Sequence, residues 1–110
     1  MKLNNKILSE ITVHMKYAKF LPEVNRRETW KELVTRNKGM HLKQYPDMKS
    51  DIEKVYEMVY DKQILPSMRS MQFGGKPIEI APNRIYNCAY MPIDHVDSFS
   101  ECMFLLLGGT

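Results

Sequence analysis

The sequence predicts a mainly α N-terminal region over residues 1–63, followed over residues 64–110 by a segment with short strands and one more helix. Three observations predict it. Apolar side chains recur at helical spacing in residues 4–20, 51–63 and 99–106. Capping-box spacings, an N-cap residue followed three positions later by Glu, occur at Asn25–Glu28, Ser50–Glu53 and Ser98–Glu101. Between residues 64 and 93 the helical period is lost, and Pro and Gly punctuate short runs that hold Ile and Tyr.

The 110 residues suffice for one small domain, and an apolar fraction of 44% with 26% charged residues is ordinary for a globular chain. The net charge of +3 is spread along the chain rather than clustered, which argues for a solvated surface and against a nucleic-acid footprint. No apolar run approaches the ~18 residues that span a bilayer, and Met1-Lys-Leu-Asn-Asn-Lys lacks the apolar core of a signal peptide. Two cysteines do not make a disulfide scaffold, so the reading is a cytoplasmic protein with reduced thiols.

In chain order, Leu3, Ile7, Leu8, Ile11, Met15 and Ala18 line one helical face that Phe20-Leu-Pro22 ends. A second helix follows Glu28, carries Trp30, Leu33 and Val34 on one face, and should stop near Asn37-Lys-Gly39. Residues 40–49, with Tyr45-Pro46-Asp47, read as a loop. Ile52, Val55, Tyr56 and Val59 make 51–63 a helix, with Tyr56 and Tyr60 at the edge of the core. Leu65-Pro66-Ser67 breaks it. Residues 68–73 alternate in character, Gly74-Gly75-Lys-Pro77 is a turn, Ile78-Glu-Ile80 a short strand, and residues 84–91 a second strand that Pro92 ends. Phe99, Cys102, Met103 and Leu106 define a buried face of the last helix. That helix runs into Gly108-Gly109 without a polar tail, the pattern expected of an N-terminal piece of a larger protein.

Chemistry, if the chain carries any, centres on Cys88. At the end of an apolar run beside Asn87, it reads either as packed core or as a nucleophile; His95, seven residues on, would be its base only if the fold brought the two together. There is no CxxC, HExxH, P-loop or dinucleotide fingerprint.

Five pieces in order carry a resemblance: Lys16-Tyr-Ala-Lys-Phe-Leu-Pro22, Glu28-Thr-Trp30, Leu65-Pro-Ser-Met-Arg-Ser70, Arg84-Ile-Tyr-Asn-Cys88, and an acid-capped helix ending in Gly108-Gly109. Together they resemble the N-terminal part of the ribonucleotide reductase large chain, closest to the adenosylcobalamin-dependent ribonucleoside-triphosphate reductases. The resemblance implies that residues 64–110 begin a ten-stranded α/β barrel, truncated at Thr110. It implies that Cys88 is one of the redox cysteine pair whose electrons convert a ribonucleotide to a 2′-deoxyribonucleotide by thiyl-radical chemistry. It further implies that Ser67, Asn87, Gly108 and Gly109, with Pro66, hold substrate. The implied cofactor is adenosylcobalamin in the complete enzyme, with none held by this chain alone, and no metal ligands are implied. The implied partners are a ribonucleoside tri- or diphosphate, a thioredoxin-type reductant and a second chain carrying the rest of the barrel, with neither membrane nor nucleic acid. The alternative reading is a small non-catalytic helical binding module with Cys88 and Cys102 both in its core.

Overall fold

The computed structural model describes residues 2–110. Helix α1 (Leu3–Thr12) runs into a π-helical turn, Val13–Tyr17. A two-residue antiparallel hairpin follows, β1 (Phe20–Leu21) with β2 (Arg26–Arg27), registered Phe20 to Arg27 and Leu21 to Arg26. Five more α-helices follow: α2 (Trp30–Gln44), α3 (Lys49–Tyr60), α4 (Met68–Phe73), α5 (Lys76–Ile80) and α6 (Asp97–Leu107). Short 3-10 turns stand at Pro46–Met48 and Pro82–Ile85.

The core lies between α2, α3 and α4. Leu33, Val34, Tyr56, Val59 and Met71 are buried together, with Trp30, Ile52 and Tyr60 packed at their edge. At its centre sits a polar residue, Asn37, which is fully buried. Its amide donates to the Ser70 carbonyl and to Ser70 Oγ, both at 2.8 Å, and its oxygen accepts from the Tyr56 hydroxyl. Every polar atom of the cluster is thereby paired, the condition under which a buried polar group is tolerated.

Several sequence expectations change at this level. Asn25 is not a cap: its φ of 51° closes the hairpin turn, and Thr29 caps α2 in a reciprocal box with Glu32. Helix α2 runs on to Gln44 through Asn37 and Gly39 instead of stopping there, because Asn37 bonds sideways into the core and leaves the backbone ladder intact. Residues 40–49 are therefore mostly helix, and Ser50 lies inside α3, whose first residue follows the Pro46 turn directly. Residues 68–73 and the expected strand at Ile78–Ile80 are helical, the second started by Pro77 in its first turn. Residues 86–93 carry no β-ladder, since a strand exists only through its partner and no described segment pairs with it.

Burial also departs from expectation. The apolar faces of α1 and α6 are open to solvent, with Phe99 at 68%, Phe104 at 75% and Leu107 at 80% exposure. The Cα radius of gyration is 17.0 Å, against about 13 Å for a compact chain of this length. The accessible surface is 8432 Å², against about 6,300 Å² expected for a compact monomer of this mass. Among the described residues no helix is long and apolar enough to cross a membrane.

Candidate functional site

The segment that holds Cys88 is positioned from both sides. Upstream, Pro82 and the following residues form a 3-10 turn that presents Asn83 and Arg84, and the chain then extends at Tyr86 (φ −85°, ψ 139°). On one side, Arg69 of α4 donates from Nε to Asn87 Oδ1 at 2.6 Å, and its guanidinium lies over the Phe73 ring. Helix α4 is itself capped by Ser67, whose Oγ accepts from the Ser70 N–H at 3.1 Å. On the other side, Asn83 donates to Thr110 Oγ1 and the Thr110 hydroxyl donates back to the Asn83 carbonyl, each at 3.2 Å.

This second tether explains the glycine pair. A Cβ on Gly108 would collide with the Asn83 amide, and one on Gly109, where φ is 102°, would meet Arg84 Cγ at 3.0 Å. At Gly109 the positive φ favours a residue without a side chain, whereas at Gly108 a Cβ would have to displace the flexible Asn83 amide. Loop 82–88 thus stands between α4, which Ser67 opens, and the glycine-ended helix α6.

Within this arrangement Cys88 is an exposed free thiol and Cys102 is half-buried. The exposure of Cys88 removes the reading in which both cysteines are core residues. Cys102 shares the open face of α6 rather than a packed one, because nothing described covers Phe99, Met103 and Leu106. His95 makes no hydrogen bond to Cys88 among the described residues. Its Nδ1 lies 3.1 Å from both the N–H and the Oγ of buried Ser98, and its Nε2 lies 3.6 Å from Asp94 Oδ1, so the ring caps the start of α6. No side-chain hydrogen bond joins Cys88 to Ser67, Asn87 or the glycines among the described residues, and no group of three or more His, Cys, Asp or Glu there could hold a metal ion.

Three clefts lie elsewhere. One of about 470 Å³ is lined by Met40, His41, Tyr45, Ile78 and Ile85 among others; one of about 580 Å³ lies beside Trp30; one of about 430 Å³ lies along α6 at Phe104. None is lined by Ser67, Asn87, Cys88, Gly108 or Gly109. Half-buried His41, at the first cleft, is held below its ordinary range by burial.

Three structural residues escaped the sequence reading. Asn37 carried a signal: Trp30, Leu33, Val34 and Asn37 follow one helical face, so a polar residue there had to be buried and paired. Glu28 and Arg36 form a largely buried fork, Nε to Oε1 at 2.9 Å and Nη2 to Oε2 at 3.0 Å. Arg36 Nη1 also donates to the Gly74 carbonyl at 2.8 Å, and Lys19 Nζ reaches the same oxygen at 3.2 Å. Burial, then the neighbouring Arg36, lowers the Lys19 amine. This knot fixes the turn between α4 and α5, and no local sequence pattern announces it.

No protein-family model, curated protein or solved structure matches this chain.

Proposed function

We propose that the chain is the N-terminal part of a ribonucleotide reductase, most similar to the adenosylcobalamin-dependent triphosphate type, and that Cys88 is one member of its redox pair. The observation that carries this reading is the five-piece order ending in Arg84-Ile-Tyr-Asn-Cys88 and Gly108-Gly109, within which Cys88 is an exposed, unpaired thiol. The tethers from Arg69 to Asn87 and from Asn83 to Thr110 support it, because they gather the residues assigned to substrate around one loop.

In that reaction, two thiols give up two electrons and two protons. The ribose 2′-hydroxyl leaves as water, a hydrogen takes its place, and the thiols become a disulfide. Cys88 supplies one thiol. The second redox thiol and the radical cysteine belong to the remaining barrel, since the chain's other cysteine, Cys102, lies on a helix face. The disulfide forms only if the partner's Cα comes within ~7 Å, and an exposed Cys88 is open to exchange with a dithiol reductant. On this reading adenosylcobalamin acts in the complete enzyme, and this chain's own residues bind and position substrate and carry the reducing thiol. The open face of α6 is where the following barrel elements would pack. A cytoplasmic location follows from the same reading, which keeps Cys88 reduced between turnovers.

A non-catalytic helical module that docks through α6 is the second reading, favoured by the exposed Phe99, Phe104 and Leu107. Assay of the purified chain with a ribonucleoside triphosphate, adenosylcobalamin and a dithiol is expected to show no turnover; turnover by the chain alone would contradict the fragment reading. Adding a separately made chain with the remaining barrel strands is expected to give stable association and turnover that Cys88→Ser abolishes. Association with turnover unchanged by Cys88→Ser, or association without turnover, would favour the docking module.

A further inference from the structure

The 580 Å³ cleft lies where the end of α1, the hairpin and the start of α2 meet, away from Cys88 and the glycines. Its lining carries four cations from three chain segments, Arg26 and Arg27, Lys31, and Lys62, with His14 beside them. Their partners decide which are free to act on a ligand. Arg26 is spent on a bidentate pair with Glu32, at 2.9 and 2.7 Å. That pair, with the Thr29 N–H, holds the Glu32 carboxyl down at about 2. Arg27 donates one nitrogen to the carbonyls of His14, Met15 and Ala18, and has no carboxylate partner among the described residues. Lys62 rests over the Trp30 ring at 5.1 Å and donates to Ser9 Oγ at 2.9 Å, again with no carboxylate. The Lys31 ammonium pairs with nothing among the described residues.

The two carboxylates on the lining do not cancel these charges. Glu28 is paired with Arg36, which leaves Glu10 as the lining carboxylate without an ion pair among the described residues. Trp30 and Lys31 are also the first two residues of α2, and their N–H groups have no acceptor among the described residues. Beside the N-terminal end of α2, whose first turn also carries Glu32, three lining cations thus lack a carboxylate partner among the described residues. The volume falls within the range of small-ligand sites.

We propose that this cleft binds a small polyphosphate anion, with Lys31, Lys62 and Arg27 as the cations that recognise it. The reading stands apart from the reductase proposal, because it uses none of the residues assigned to the redox loop. A free polyphosphate and the phosphate tail of a nucleotide share the chemistry, and two probes separate them.

Trp30 is the chain's one tryptophan and lines the cleft, so its emission reports on occupancy. Titration of the full chain with inorganic tripolyphosphate is expected to give a saturable change in Trp30 emission that weakens as salt is raised. Lys31→Glu, whose wild-type side chain bonds to nothing described, should weaken binding about tenfold with an unchanged melting curve. Lys62→Glu should weaken it further, and Lys43→Gln, at the far cleft, should leave it unaltered. Comparable binding of ATP and tripolyphosphate would mean that the phosphate chain alone is read; tighter binding of ATP would add a nucleoside contact to the same site. No saturable response to tripolyphosphate, a response to ATP alone, or affinity unchanged in both Lys31→Glu and Lys62→Glu would overturn the proposal.

Discussion

The two ends of the chain are built on opposite principles. In the α2–α3–α4 unit, apolar faces meet one another and buried polar groups find partners: Leu33 and Val34 are enclosed, Asn37 is saturated, and Glu28 forks onto Arg36. In α6, an apolar face meets no packed partner among the described residues, and the preceding loop is held by hydrogen bonds at Asn83, Asn87, His95 and Thr110. The same side-chain chemistry is core in one region and surface in the other. The difference teaches that helical spacing of apolar residues does not by itself decide burial: in the first unit the faces meet one another, and in α6 the face is open to solvent.

Substitutions sharpen this contrast, beginning with the largest effect. Arg36→Met strands the buried Glu28 carboxylate and should cost about 3–5 kcal/mol in chemical unfolding. Leu33→Ala leaves a cavity at the centre of the core and should cost about 2–5 kcal/mol. Asn37→Ala leaves the Tyr56 hydroxyl and Ser70 without a partner and should cost about 1–3 kcal/mol. Phe104→Ser on α6 should change stability by no more than about 0.5 kcal/mol, because the ring is already in water. A loss at Phe104 as large as that at Leu33 would break the comparison.

The pH dependence sharpens it from the titrating groups of the same unit. Burial pushes the Tyr56 hydroxyl from 10.0 up to about 12. A raised value in the fold means that its contribution is full below pH 10 and is lost as pH rises toward 12. His41 is lowered from 6.5 by burial, so its neutral form is favoured in the fold and stability declines as pH falls below 6.5. Unfolding curves between pH 5 and 12 should show both flanks, and Tyr56→Phe should remove the alkaline one.

Much of the helical region was legible because its signal is local. The spacing of Ile52, Tyr56 and Val59 and of Leu33 and Val34 is a property of neighbours along the chain, and the two helices pack as that spacing implies. The end of α2 was not legible, since Asn37 and Gly39 look like a stop unless the partner across the core, Ser70, is known. The strands expected at 78–80 and 84–91 failed for a related reason. Ile and Tyr favour a strand only where another strand accepts the backbone, and the first run instead takes a Pro-initiated helical turn. Cys88 was picked out by sequence, but its setting was not: the hold of Arg69 on Asn87 spans 18 positions and obeys no period.

The proposal that the chain is the reducing-thiol part of a reductase is tested most directly by reconstitution. The chain is combined with a separately made chain bearing the remaining barrel strands, adenosylcobalamin, a ribonucleoside triphosphate and a dithiol, and deoxyribonucleotide formation is followed for wild type, Cys88→Ser and Cys102→Ser. The expected result is turnover with wild type and Cys102→Ser and none with Cys88→Ser. Full turnover with Cys88→Ser, or a complex that forms and yields no deoxyribonucleotide, would contradict it.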